Sequence, residues 1–207
     1  LVVRDSMARG LGRYRFEGSL RILQRDMLLD SHSKTRFVWP RPAAYPGSGL
    51  PVELFPVSRE LDASTGGLRW ILTRVFNPQP EPRSARFADA VAVAGLNGYG
   101  TFRRRAVLLV LAPEDHDASQ YSADMVRRFL ASLRVPLFVW SLGPLGPLGS
   151  AWAWGEAVDV SSEEALKAEF ARIRVELESQ RIVWVAGKIL PQDVSLTDDA
   201  KRIELVR

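Results

Sequence analysis

Short apolar stretches alternate with segments of helical periodicity along this chain of 207 residues. Apolar runs at 1–3, 105–111, 135–142 and 157–160 have the length and composition of buried strands, and 105–111 is apolar on both faces. Helices are predicted over 85–97, with Phe87, Ala90, Val91 and Ala94 inward, and from a cap at Ser122 to Leu133, with Met125 on the same inward face as Val126 and Leu130. Strands that alternate with amphipathic helices imply right-handed crossovers. We therefore predict an α/β fold with a doubly wound, mostly parallel sheet flanked by helices.

Weaker patterns complete this prediction. Helices are expected at 13–29 and 66–76, and the sequence Ser161-Ser162-Glu163-Glu164 predicts a capping box before a helix with Leu166, Phe170, Ile173 and Leu177 inward. Strands are expected at 35–39, 52–57 and 181–189, and Pro56 suits a short antiparallel edge strand. The expected organisation is one domain over 1–190, with 191–207 leading toward a further segment of a longer protein.

The chain contains no cysteine, which excludes disulfides, zinc–thiolate sites and a thiol nucleophile. Residues 135–155 carry no charge and are numerous enough to span a bilayer. Prolines at 136, 144 and 147 and glycines at 143, 146 and 149 would break such a helix repeatedly. We predict a buried strand followed by an apolar loop over 143–155.

Charge is distributed unevenly along the chain. Residues 1–134 contain 20 Lys and Arg against 13 Asp and Glu, whereas 135–207 contain 8 against 11. Of the 28 cations 24 are arginine, which pairs in a bidentate way with carboxylate or phosphate. The basic front half could suit an acidic partner, anionic lipid or nucleic acid. The run Arg103-Arg104-Arg105 could contact phosphate, but a solvated strand entrance is the favoured interpretation, and nucleic acid is not the expected partner.

Residues 85–180 contain, in this order, Phe87-Ala-Asp-Ala-Val91, the strand that begins at Arg105, the helix 122–133, the strand that begins at Val135, and Val158-Asp-Val-Ser-Ser-Glu-Glu-Ala-Leu166. The resemblance of this pattern is to the second half of a von Willebrand factor A domain of bacterial type. It implies a Rossmann-like sheet that binds partners through loops at the carboxyl ends of its strands, and an extracytoplasmic, periplasmic or secreted, location.

Many domains of this family hold Mg²⁺ through Asp-x-Ser-x-Ser, a threonine and a further aspartate. The corresponding positions here do not preserve that pattern. Asp5 and Ser6 follow the first strand without the remaining hydroxyls, Ala85 stands in the place of the threonine, and Pro113 stands in that of the aspartate. The resemblance therefore implies a degenerate site, and we expect no metal and no other cofactor.

Two segments at the carboxyl ends of strands carry the candidate functional residues. The first is the acidic loop with Asp115, His116 and Asp117, which could also form a hydrolase centre together with Ser119. The second is 143–155, where Leu145, Leu148, Trp152 and Trp154 either form an exposed apolar patch or fold back over the core.

The expected function is a non-catalytic, metal-independent protein-binding or assembly module with no small-molecule substrate. Its expected partner is another protein, which could belong to a larger or membrane-associated assembly. A hydrolase and a metal-dependent adhesin are the alternatives. A hydrolase would require Asp115, His116 and Ser119 to converge in one pocket beside oxyanion donors.

Overall fold

A computed structural model describes residues 2–3, 34–41, 54–62, 85–98, 103–111, 116–141, 143–153, 157–180 and 195. The strands are β1 (Val2–Val3), β2 (Lys34–Thr35), β3 (Leu61–Asp62), β4 (Val107–Leu111), β5 (Leu137–Ser141) and β6 (Ala157–Asp159). The helices are α1 (Phe87–Gly98), α2 (Ala123–Ser132), α3 (Pro147–Ala153) and α4 (Glu163–Ser179). The helices predicted at 13–29 and 66–76, the strand predicted at 181–189 and nearly all of the tail after 191 lie outside these residues.

Four strands form a parallel sheet in the order β1-β4-β5-β6. Strand β4 is an inner strand, as its apolar sequence predicted, and Leu109 is paired with Val2 on one side and Val139 on the other. The strand is two residues shorter than predicted at its start. The backbone N–H of Arg105 donates to the Gln180 side chain at 3.2 Å instead of joining the sheet.

Alternation along β4 and β5 sends side chains into two separate buried clusters. Leu109 and Val139 pack with residues of α1 and α2, together with Trp152 of α3. Val110 and Trp140 pack with Leu166 and Ile173 of α4. The described part of the chain is thus a small parallel sheet flanked by helices.

Antiparallel pairing occurs away from this sheet. Strands β2 and β3 form a two-stranded sheet of their own, and Val38 makes an isolated antiparallel bridge with Val57. The strands predicted at 35–39 and 52–57 thus agree with the structure in that both segments make antiparallel pairs. Their described residues do not form an edge of the parallel sheet. Pro56 lies beside the bridge, and its carbonyl accepts the backbone N–H of Trp39 at 3.1 Å.

Helix termini follow the side chains available to cap them. Ser122 accepts the backbone N–H of Met125 at 3.2 Å and begins α2, as predicted. Helix α4 begins after Ser162, which accepts the N–H of Ala165. The predicted capping box is therefore wrong in detail, because the third helical residue after this cap is alanine and not glutamate. Leu166 and Ile173 are buried on the predicted face of α4.

The predicted loop 143–155 contains the short helix α3, which is a correction to the sequence analysis. Proline breaks a helix interior but fits its first turn, where no intrahelical partner for the N–H is required. Pro147 occupies that position, and the N–H of Ser150 donates to Gly146 O at 2.9 Å. None of the described helices has the length and apolar character required to cross a membrane.

Candidate functional site

The candidate site lies where β4, β5 and β6 end, and we call this side of the sheet the carboxyl edge. Because the strands are parallel, the segments that follow them meet at that edge. The described parts of these segments are 116–122, 143–153 and 160–162. Of the residues singled out from the sequence, Asp5, Ser6, Pro113, Asp115 and Trp154 lie outside the described residues.

Asp117 binds the start of α1. Its Oδ1 accepts the backbone N–H of Phe87 at 2.9 Å, and its Oδ2 accepts that of Ala88 at 3.2 Å. The first N–H groups of a helix have no partner within the helix, so a carboxylate beside them is a favourable acceptor. Ala85, the residue in the place of the family's threonine, accepts the N–H of Ala118 through its carbonyl at 2.8 Å.

Ser119 belongs to the same network. Its hydroxyl donates to Asp117 Oδ1 at 2.5 Å and accepts the backbone N–H of Asp89 at 3.2 Å. His116 is exposed. The hydrolase alternative requires a hydrogen bond between Ser119 and His116. Within the described residues, the Ser119 hydroxyl is instead hydrogen-bonded to Asp117 and to the backbone of Asp89.

Asp89 completes the network from the α1 side. It is 4% exposed, its Oδ2 accepts the N–H of Gln120 at 3.1 Å, and its Oδ1 accepts that of Tyr121 at 3.2 Å. The Arg86 guanidinium pairs with the same carboxylate through Nε at 2.6 Å. Sequence reasoning missed this residue. Its signal was an acidic side chain in the first turn of an otherwise apolar, alanine-rich helix.

The two carboxylates therefore accept backbone N–H groups from each other's segments. This arrangement joins the loop after β4 to the start of α1 and leaves the acidic groups serving as structural acceptors. Among the described residues there is no group of three or more His, Asp or Glu side chains arranged to hold a metal ion.

The apolar segment after β5 divides into buried and exposed parts. Trp152 is 1% exposed and lies in the buried cluster that contains Leu109 and Val139, which we call the main core. Leu148 is partly buried against the same cluster. Arg127 of α2 donates to the carbonyl of Trp152 at 3.0 Å, which holds α3 beside α2. Leu145 is 41% exposed. Of the two alternatives for this segment, folding back onto the core holds for Trp152, which is not available to a partner.

Two further apolar side chains are exposed on the segments at this edge. Tyr121, directly before the α2 cap, is 49% exposed, and Met125 in the first turn of α2 is 55% exposed. The sequence had placed Met125 on the inward face of α2. That face is centred on Val126 and Leu130, which are both buried, and Met125 falls outside it.

Comparison with protein-family models and with curated proteins finds no match to this chain.

Proposed function

We propose that this chain is a non-catalytic, metal-independent protein-binding or assembly module with a doubly wound fold like that of von Willebrand factor A domains. The partner is another protein, which docks at the carboxyl edge of the parallel sheet. Recognition proceeds through shape and apolar contact. The observation that carries the proposal is the exposure of Tyr121 on the loop after β4, Met125 in the first turn of α2 and Leu145 on the segment after β5.

Hydrogen bonds within the described parts of the edge support the proposal. Asp89 and Asp117 hold the loop after β4 against α1 through hydrogen bonds of 2.9–3.2 Å to four backbone N–H groups. Arg127 holds α3 against α2. A surface fixed in this way loses little conformational entropy on association, so its apolar contacts contribute more fully to affinity.

The exposed residues have the chemistry of interface anchors. Tyrosine contributes a large contact area at low entropic cost, and methionine adapts its shape to a partner. Met125 lies in α2 and Leu145 lies two residues before α3, and α2 is held against α3. Asp117 was expected to face the partner directly, but its contacts give it the role of positioning the loop that carries Tyr121.

The test replaces the exposed apolar side chains and measures capture of the partner. The double variant Met125→Ser and Leu145→Ser is expected to reduce affinity about tenfold or more, the loss typical when interface anchors are truncated. Affinity is measured by titration of the tagged chain against the protein that co-purifies with its unaltered form. The melting temperature should change little, because Met125 is 55% and Leu145 41% exposed in the folded chain.

Val175→Ser is the matched control. Val175 is 65% exposed in the second half of α4. This end of α4 is next to the start of β4, because the Gln180 side chain accepts the backbone N–H of Arg105. Capture should be unchanged in this variant. Equal capture by the double variant and the unaltered chain would assign recognition to another surface.

A further inference from the structure

A charged surface, distinct from the apolar surface at the carboxyl edge, is centred on Glu60. Arg36 Nη2 lies 3.1 Å from Glu60 Oε1, and Arg103 Nη1 lies 3.7 Å from Glu60 Oε2. Arg36 continues the β2–β3 register to stand opposite Glu60, and Arg103 comes from the segment that leads into β4. One carboxylate is therefore approached by two guanidinium groups from distant parts of the chain. All three side chains are exposed by 37–61%.

These segments are strongly basic. Residues 34–41, 54–62 and 103–105 together contain seven Lys and Arg and two Asp and Glu. Lys34, Arg59 and Arg104, which are close in sequence to Arg36, Glu60 and Arg103, are also exposed. We define the basic surface as Lys34, Arg36, Arg59, Arg103 and Arg104. Because Arg103 precedes β4, this surface includes the amino end of that strand, opposite the carboxyl edge.

The chemistry of this surface fits a carboxylate ligand. Arginine donors lie in a planar fork that matches the two oxygens of a carboxylate. Glu60 shows that a carboxylate can stand between the two guanidinium groups, with one oxygen facing each arginine. A second carboxylate would meet the same donors and the surrounding positive charge.

We propose that the basic surface binds an acidic peptide segment of a partner protein, whose carboxylates replace Glu60 between Arg36 and Arg103. Glu60 is then an internal competitor that holds the two guanidinium groups in place while the surface is empty. Attraction between exposed charges weakens as salt screens it, so binding is expected to fall steeply as ionic strength rises.

The test uses the full chain and a fluorescent deca-glutamate peptide, with affinity measured by fluorescence anisotropy at low salt. The double variant Arg36→Gln and Arg103→Gln should weaken binding about tenfold, because it removes both charge-assisted partners. Glu60→Gln should strengthen binding about threefold, because the competitor loses its charge. The expected gain in affinity is opposite in direction to the loss expected of the first variant, so the second variant keeps the proposal testable if the first is unstable.

Arg128→Gln is the control for removal of a positive charge elsewhere on the chain, because Arg128 is 80% exposed on α2 and pairs with Asp124. It should change affinity by less than about twofold. A loss equal to that of the double variant would reduce the effect to net charge and overturn the proposal. A decathymidine oligonucleotide and phosphatidylserine vesicles are titrated in parallel. Tighter binding of either probe than of the peptide, or no gain in Glu60→Gln, would also overturn it.

Discussion

At the scale of single residues, Asp89 and Asp117 perform the same task from opposite sides. Asp117 accepts two N–H groups at the start of α1, and Asp89, within that helix, accepts two from the segment that leads to α2. Hydrogen bonds to a charged acceptor are stronger than neutral ones, contributing about 1.5–3 kcal/mol each. The exchange therefore stabilises the loop and the helix start together.

Replacement of Asp117 by alanine is expected to lower the free energy of unfolding by about 2 kcal/mol or more, because it leaves the N–H groups of Phe87 and Ala88 without an acceptor. Urea denaturation followed by circular dichroism measures the change. Asp117→Asn, which keeps one side-chain oxygen, should lose less.

The matched control for this experiment is Asp124→Ala. Asp124 also lies in a first helical turn, but its side chain is 40% exposed and it pairs with Arg128 on the surface. The expected cost is at most about 1 kcal/mol. Equal costs at the two positions would show that Asp117 does not anchor the loop.

At the scale of elements, α3 depends on its contacts. A helix of seven residues is too short to persist by itself. Burial of Trp152 in the main core and the bond from Arg127 to its carbonyl supply the missing stability. The helix α3 is therefore stable only when its tryptophan is buried.

Trp152→Ala is expected to lower the free energy of unfolding by about 3–5 kcal/mol, since it removes the largest side chain of the core and leaves a cavity. Trp152→Phe, which keeps an aromatic ring, should lose less and remain folded for measurement. Chemical denaturation provides the values. Leu145→Ala, at the exposed start of the same segment, should cost less than about 1 kcal/mol. A small loss at Trp152 would place its ring outside the core.

At the scale of the whole molecule, Arg105 joins three helices to the start of β4. Its guanidinium donates to Gly98 O at 3.3 Å and to Leu133 O at 3.1 Å, at the ends of α1 and α2. Its backbone exchanges hydrogen bonds with the Gln180 side chain after α4. A cation at helix carboxyl termini also interacts favourably with their dipoles.

Arg105→Met is therefore expected to destabilise the chain by about 2 kcal/mol, because two helix ends lose a charged donor at once. Arg104→Met, one residue away and exposed, should change stability by less than about 0.5 kcal/mol. Thermal and urea denaturation of the two variants side by side measure the difference. Similar losses would contradict the role assigned to Arg105.

Much of the architecture follows from local pattern. The helical spacing of Phe87, Val91 and Ala94, the Ser122 cap and the apolar strand before Leu111 each predict their element from a few adjacent residues, and the structure confirms them. Alternation of such elements also predicts the parallel pairing of β4, β5 and β6. These features depend on backbone geometry and on the burial of one face, which sequence periodicity encodes directly.

Contacts between residues distant in sequence do not follow in this way. Asp117 accepts a hydrogen bond from Phe87, which is 30 residues away in sequence, and Arg105 is hydrogen-bonded to Gln180, which is 75 residues away. Within Arg103-Arg104-Arg105, three identical side chains lie in one run, yet only the fold separates the arginine that caps helices from the one that approaches Glu60. The same holds for Trp152, whose burial depends on the space that α2 and the sheet leave open.

The sequence by itself thus determined β4, β5, α1, α2 and α4 and the cap at Ser122, because these depend on neighbours along the chain. The tertiary structure decided which acidic, basic and aromatic residues support the fold and which remain at the surface, because hydrogen-bond partners and burial are set by segments that only folding brings together.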